Sequence, residues 1–148
     1  MYVNSDFAGM WHKDHSQLHD NVLSRTGYII LFGNCPITWV SKLQMEIALS
    51  TTESECIALS SATRDLLPLR QILSDINKYS FICILKQTSS TISNSSLLPS
   101  RIYEDNAACI VLATMMTNFK PRTKHISIKW HHFHDQIQNG TLSSQNHL

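Results

Sequence analysis

Thr52-Glu53-Ser54-Glu55-Cys56-Ile57-Ala58-Leu59 is where this chain changes period. Before it, apolar residues come in short runs closed by turn residues. From Ile57 onward they recur near helical spacing, through Ala58, Leu59, Ala62, Leu66, Leu69, Leu73 and Ile76. Thr52 and Glu55 have the spacing of a capping box, in which a Thr hydroxyl takes the first free N–H groups and the Glu three residues on reaches back. Pro68 is expected to kink this helix or to end its first part, since proline removes a donor and crowds the carbonyl four residues earlier.

Upstream, three strands are expected: Tyr2 to Phe7, Thr26 to Phe32 and Pro36 to Ser41, with Gly33-Asn34 as a hairpin turn between the last two. Gly9 to Asn21 is polar and His-rich and reads as a loop. Downstream, residues 77–100 are expected to be irregular. Thr88 to Ser96, almost wholly Ser, Thr, Ile and Asn, forms their core, and Phe81 to Leu85 is an open choice between loop and a short extra strand. Arg101 to Glu104 reads as a strand, Asn106 to Met116 as a helix, and Ser127 to Asn139 as a second helix closed by Gly140. Thr141 to Leu148 begins a last strand. Strands, helix, strand and helices in that order make a mixed α/β chain.

At 148 residues the chain fits one domain with a real core. A net charge of +1 gives no global basic field, so any nucleic-acid binding must rest on a local patch. No apolar run approaches the length of a membrane span, Tyr28-Ile29-Ile30-Leu31-Phe32 being strand-sized, and the N-terminus lacks a signal-peptide pattern. Cys35, Cys56, Cys83 and Cys109 are widely spaced, form no Cys-x-x-Cys pair, and read as buried free thiols in a reducing, intracellular compartment.

Three acidic stations punctuate this frame: Ser5-Asp6-Phe7-Ala8-Gly9 after the first strand, Glu53 and Glu55 at the head of the helix, and Tyr103-Glu104-Asp105-Asn106 after the fourth strand. Carboxylates converging from separate elements suit hard divalent cations and two-metal phosphodiester chemistry. Taken singly, each has a plainer reading. Asp6 is a solvated strand end, Glu55 a capping partner, and Asp105-Asn106 a turn with Asn106 as helix cap. His12, His15 and His19 have helical spacing, but no Cys stands at ligand spacing, so surface or partly buried histidines are the expectation over zinc. Trp11, Trp39 and Trp130 read as core or half-buried packing.

The chain resembles the RNase H domain of copia-type retrotransposon polyproteins, which follows the reverse transcriptase there. The resemblance is carried in order by Ser5-Asp6-Phe7-Ala8-Gly9, Thr26-Gly27-Tyr28, Pro36-Ile37-Thr38-Trp39, Ile47 to Glu53, and Glu55 to Ser60. It continues through Asp105-Asn106, Arg122-Thr123-Lys124-His125-Ile126 and Lys129-Trp130-His131-His132-Phe133. It implies a single RNase H-like domain over residues 1–148, a five-stranded mixed sheet with helices on both sides, with 77–100 as an insertion. It implies hydrolysis of the RNA strand of RNA–DNA hybrids with two Mg²⁺ ions. One ion would activate a water and the other stabilise the leaving oxygen, roughly 4 Å apart. Asp6, Glu55 and Asp105 are the catalytic and metal-binding residues it implies, with Glu53 as second choice to Glu55. Arg122, Lys124 and His125, within a basic cluster that includes Lys129, would contact the hybrid backbone. The partners implied are the hybrid and the reverse transcriptase part of the polyprotein, with no membrane.

The chain also departs from the family. The fourth carboxylate, which the family carries on a final helix after the last strand, has no counterpart before Leu148, and Asp135 lies in the preceding helix. Ser127 stands where the family has Asp, Cys56 where it has an aromatic, and Gly9-Met10-Trp11-His12 where it is acidic. The expectation is therefore a truncated last strand, an absent last helix and an impaired site. The rival reading is an inactive retroelement remnant that at most binds nucleic acid. A transposase or integrase of the same sheet topology fits less well, because the Glu lies on the first helix.

Overall fold

Gly33 and Asn34 both take positive φ, 56° and 65°, the two-residue turn whose twist matches that of antiparallel strands. Around it fold β2 (Arg25–Phe32) and β3 (Cys35–Leu43), paired from Arg25 opposite Leu43 to Phe32 opposite Cys35. This is the expected hairpin. The computed structural model describes residues 1–15, 19–85, 98–114 and 133–146. β1 (Tyr2–Asp6) pairs antiparallel with β2, Tyr2 opposite Ile29 and Asp6 opposite Arg25. β4 (Ser100–Glu104) runs parallel to β1, and β5 (Leu142–Asn146) parallel to β4. The strand order is β3-β2-β1-β4-β5. The chain is thus a five-stranded mixed sheet with flanking helices, consistent with an RNase H-like fold. The last strand, expected to be cut short, pairs with every residue of β4, from Ser100 opposite Leu142 to Glu104 opposite Asn146.

α1 (Thr51–Leu85) lies across β1 and β2. Its buried positions Glu55, Ala58, Leu59, Ala62 and Leu66 follow one helical stripe. They meet Val3, Tyr28, Ile30 and Ile102 from the sheet in a core that also takes Cys109, Phe133 and Leu142. Three expectations are corrected here. The capping box sits two residues earlier than Thr52–Glu55: the Glu53 amide donates to Ser50 Oγ at 3.1 Å, and Glu53 Oε2 accepts from the Leu49 amide at 2.8 Å. Of the two expectations for Pro68, a kink or an end, the second does not hold, since the helix runs through it. The carbonyl it deprives belongs to Arg64, and both residues are exposed, so water can replace the lost donor. Residues 77–85, expected to be irregular, continue the helix, Phe81 to Leu85 included, and Ser100 already opens β4. Residues 86–97 lie outside the described ones.

α2 (Ala107–Thr114) is capped by Asn106, whose Oδ1 accepts from the Cys109 amide at 3.0 Å, as the sequence suggests. Residues 133–138 are helical and end as expected at Gly140, φ 68°. The Gly140 amide donates to the Ile137 carbonyl and the Thr141 amide to that of Gln136, each at 2.9 Å, which is the Schellman arrangement. The segment 9–21, expected as loop, contains two short 3-10 turns, Lys13–His15 and His19–Val22. Among the described residues the helices share one core on one face of the sheet, whereas the resemblance implies helices on both sides. The other face carries Trp39, Ile29, Tyr2 and Tyr103 in one cross-strand row, with the two tyrosine rings stacked at 4.7 Å. Trp39 is 70% exposed and Trp11 57%, so both are exposed where core or half-buried packing was expected. Trp39 lies on the edge strand, on the face away from α1. Trp130 lies outside the described residues. Cys56 and Cys109 are buried free thiols, but Cys35 is exposed at the hairpin end.

Candidate metal centre

The site grows from the end of β4. Side chains alternate across a strand, so Ile102 and Glu104 both face α1 while Tyr103 faces away. Ile102 is fully buried and Glu104 is 1% exposed. From the opposing helix, Glu55 comes off the buried stripe one turn before Leu59 and is 6% exposed. Asp105, just past the strand, is exposed. Each of these three carboxylates offers an oxygen, and the three oxygens lie within 4.8 Å of one another. Opposite oxygens on one Mg²⁺ are about 4 Å apart and on one Ca²⁺ about 5 Å, so the three can converge on a single ion.

Gln44 fixes the approach of α1 to the sheet. Its Nε2 lies 3.1 Å from Thr26 Oγ1 on β2, 2.9 Å from the Ser54 carbonyl on α1 and 3.4 Å from Ser5 Oγ on β1. At the far side of the same contact, the Tyr28 hydroxyl donates to Asp65. Those bonds hold Glu55 against the end of β1.

Burial pushes the Glu55 carboxyl up to about 7, with the Asp105 charge adding to the rise and the Ser5 amide opposing it. Burial likewise pushes Glu104 up to about 8, helped by the charges of Glu55 and Asp105. The Asn106 amide, donating to Glu104 Oε1 at 3.3 Å, works the other way. Two carboxyls this close titrate as a pair. Each keeps one buried oxygen, Oε2, without a hydrogen-bond partner among the described residues. Buried polar atoms are normally satisfied. Two orphaned carboxylate oxygens in an all-oxygen cluster fit a hard divalent cation of the kind the resemblance implies.

Of the residues expected at the site, Glu55 and Asp105 are brought together. Asp6 ends β1 at the same sheet edge, since β1 and β4 are adjacent and parallel. Its exposed carboxylate, however, folds back on Gly9, where a Cβ would collide with it, and it is not among the converging oxygens. The turn between them puts Ala8 at φ 47°, an uncommon conformation for a residue with a side chain. Glu53, the second choice, is the helix cap. Arg122, Lys124 and His125 lie outside the described residues. Glu104 was not singled out from the sequence; strand alternation with Ile102 is the signal that finds it. Gln44 carries no sequence signal of its role. Among the described residues the only cluster of acidic, His or Cys groups that could hold a metal is Glu55, Glu104 and Asp105, and His12 and His19 lie beside Asp14 and Asp20.

Over 142 residues the chain is 30% identical to the retrovirus-related Pol polyprotein from transposon RE2 of Arabidopsis thaliana. Over 141 residues it is 29% identical to that from transposon TNT 1-94 of Nicotiana tabacum. Its homologues are retrovirus-related Pol polyproteins of plant transposons. Each alignment takes in 95% of this chain but only 8% and 9% of those relatives, so the chain spans less than a tenth of the proteins it matches. No protein-family model matches it, and neither does any solved structure.

Proposed function

We propose that this chain is an RNase H domain of a copia-type retrotransposon polyprotein, hydrolysing the RNA strand of RNA–DNA hybrids at a two-metal carboxylate site. The observation that carries the reading is the convergence of Glu55 and Asp105 at the carboxyl edge of a mixed sheet, in a chain homologous to Pol polyproteins. Glu55, Asp105 and, after its side chain turns from Gly9, Asp6 would hold two Mg²⁺ ions. When bound, such ions supply Lewis acidity and an activated water at neutral pH. The residues of the chain contribute charge and position. Glu55 is anchored by the Gln44 bonds and the core stripe, Asp105 by the start of α2, and the buried side of the cluster keeps water out. Arg122, Lys124 and His125 are the proposed backbone contacts for the hybrid, and the reverse transcriptase segment is the proposed covalent neighbour.

A second reading, an inactive remnant that at most binds nucleic acid, is favoured by one observation: Asp6 is turned onto Gly9, away from the other carboxylates. A labelled RNA–DNA hybrid incubated with the chain in Mg²⁺ and then Mn²⁺, beside Asp6→Asn, separates the two. Cleavage that Asp6→Asn abolishes supports the nuclease. No cleavage in either metal, from chain shown to be folded by circular dichroism, supports the remnant.

A further inference from the structure

We infer that Glu104 is a cation ligand, and that with Glu55 and Asp105 it holds one divalent cation in the free protein, before any nucleic acid arrives. The inference deepens the nuclease reading and rests on it for the purpose of the site.

Glu104 is buried. It faces α1 beside the fully buried Ile102 and is itself 1% exposed. Its Oε1 takes the Asn106 amide and the group hydrogen-bonds the Glu55 carboxyl, yet its Oε2 takes nothing among the described residues. Glu55, 6% exposed, repeats the pattern with its own orphaned Oε2. A buried carboxylate is costly unless it is paired with a cation or bound to a metal. Among the described residues no lysine or arginine makes a salt bridge to either one. The third carboxylate, Asp105, is exposed and lies within the same 4.8 Å span, so it stands at the mouth of the cluster where an ion would enter. Three carboxylates exceed the charge of one divalent cation, and their all-oxygen chemistry selects hard ions. Asp6 is not needed, because its carboxylate lies against Gly9.

The test is a titration with Mn²⁺ alone, without nucleic acid, followed by the electron paramagnetic resonance of the free ion. One Mn²⁺ per chain is expected. Glu104→Gln, which keeps size and shape, is expected to weaken that binding about tenfold or more, the scale on which metal sites respond to loss of a supporting group. Asp105→Asn, a change at an exposed position, is expected to weaken it also, while Asp14→Asn, an exposed acid in the first 3-10 turn and outside the cluster, binds as the parent does. Thermal unfolding in EDTA shows that each variant is folded. No bound Mn²⁺ at millimolar concentration in the folded parent chain would overturn the inference and leave a proton shared between Glu55 and Glu104 as the account of the pair. Unchanged affinity in folded Glu104→Gln would overturn it as well. Hybrid cleavage that survives with no Mn²⁺ bound to the free chain would sink this inference and spare the nuclease reading. Mn²⁺ binding without cleavage would do the reverse.

Discussion

Glu53 and Glu55 stand two positions apart and do different work. Glu53 turns back to the Leu49 amide and closes the helix start, while Glu55, on the stripe that meets the sheet, is buried against Glu104. The sequence shows two acids at a helix start. Which one caps depends on whether the helix begins at Thr51 or two residues later, and boundaries are the least legible feature of a pattern. Ser50→Ala should therefore lower stability by about 1 kcal/mol in urea unfolding, the usual worth of an N-cap, and leave Mn²⁺ binding untouched. A loss of metal affinity in that variant would contradict the division. The buried pair also sets a pH dependence. Glu55 and Glu104 hold their protons more tightly folded than unfolded, so their contribution is full below the ordinary carboxylate range and is lost as pH rises through about 7 and 8. In EDTA the urea midpoint should fall between about pH 5 and 8, and fall less in Glu104→Gln. Equal slopes in the two proteins would refute it.

Along α1, the apolar period made both the helix and its buried face legible, since Ala58, Leu59, Ala62 and Leu66 are core residues. Its length was not legible. Pro68 is a stop in sequence terms, and only the exposure of Arg64 and Pro68 shows why the helix runs past it. Pro68→Ala should stabilise the protein by about 2 kcal/mol, the ~3 kcal/mol helix penalty of proline less up to ~1 kcal/mol for the freedom returned to the unfolded chain. A lower melting temperature would mean that the proline shapes a bend the core needs. Leu66→Ala, which empties a buried position facing β2, should cost about 2–5 kcal/mol in the same assay. A cost under about 1 kcal/mol would show that this end of α1 is loosely packed.

For the molecule as a whole, strand alternation and the Gly33-Asn34 turn made β1 to β3 readable, and the parallel pairing of β4 with β1 gathers acidic stations that lie far apart in the chain. Glu55 and Asp105, whose carboxylates the fold brings together, were legible as candidates because motif and position agreed. Glu104 was not, because only the face of the strand separates a buried carboxylate from a solvated one. Asp6 was placed at the correct edge, but a side-chain direction set by the turn at Ala8 and Gly9 has no sequence signature. The most direct measurement is cleavage of a labelled RNA–DNA hybrid in Mg²⁺, with an RNA duplex and a DNA duplex as controls, by the chain and by Glu55→Gln. The nuclease account predicts cuts confined to the RNA strand of the hybrid and lost in Glu55→Gln. Cutting that Glu55→Gln retains, or no cutting of any substrate by folded chain, would contradict it.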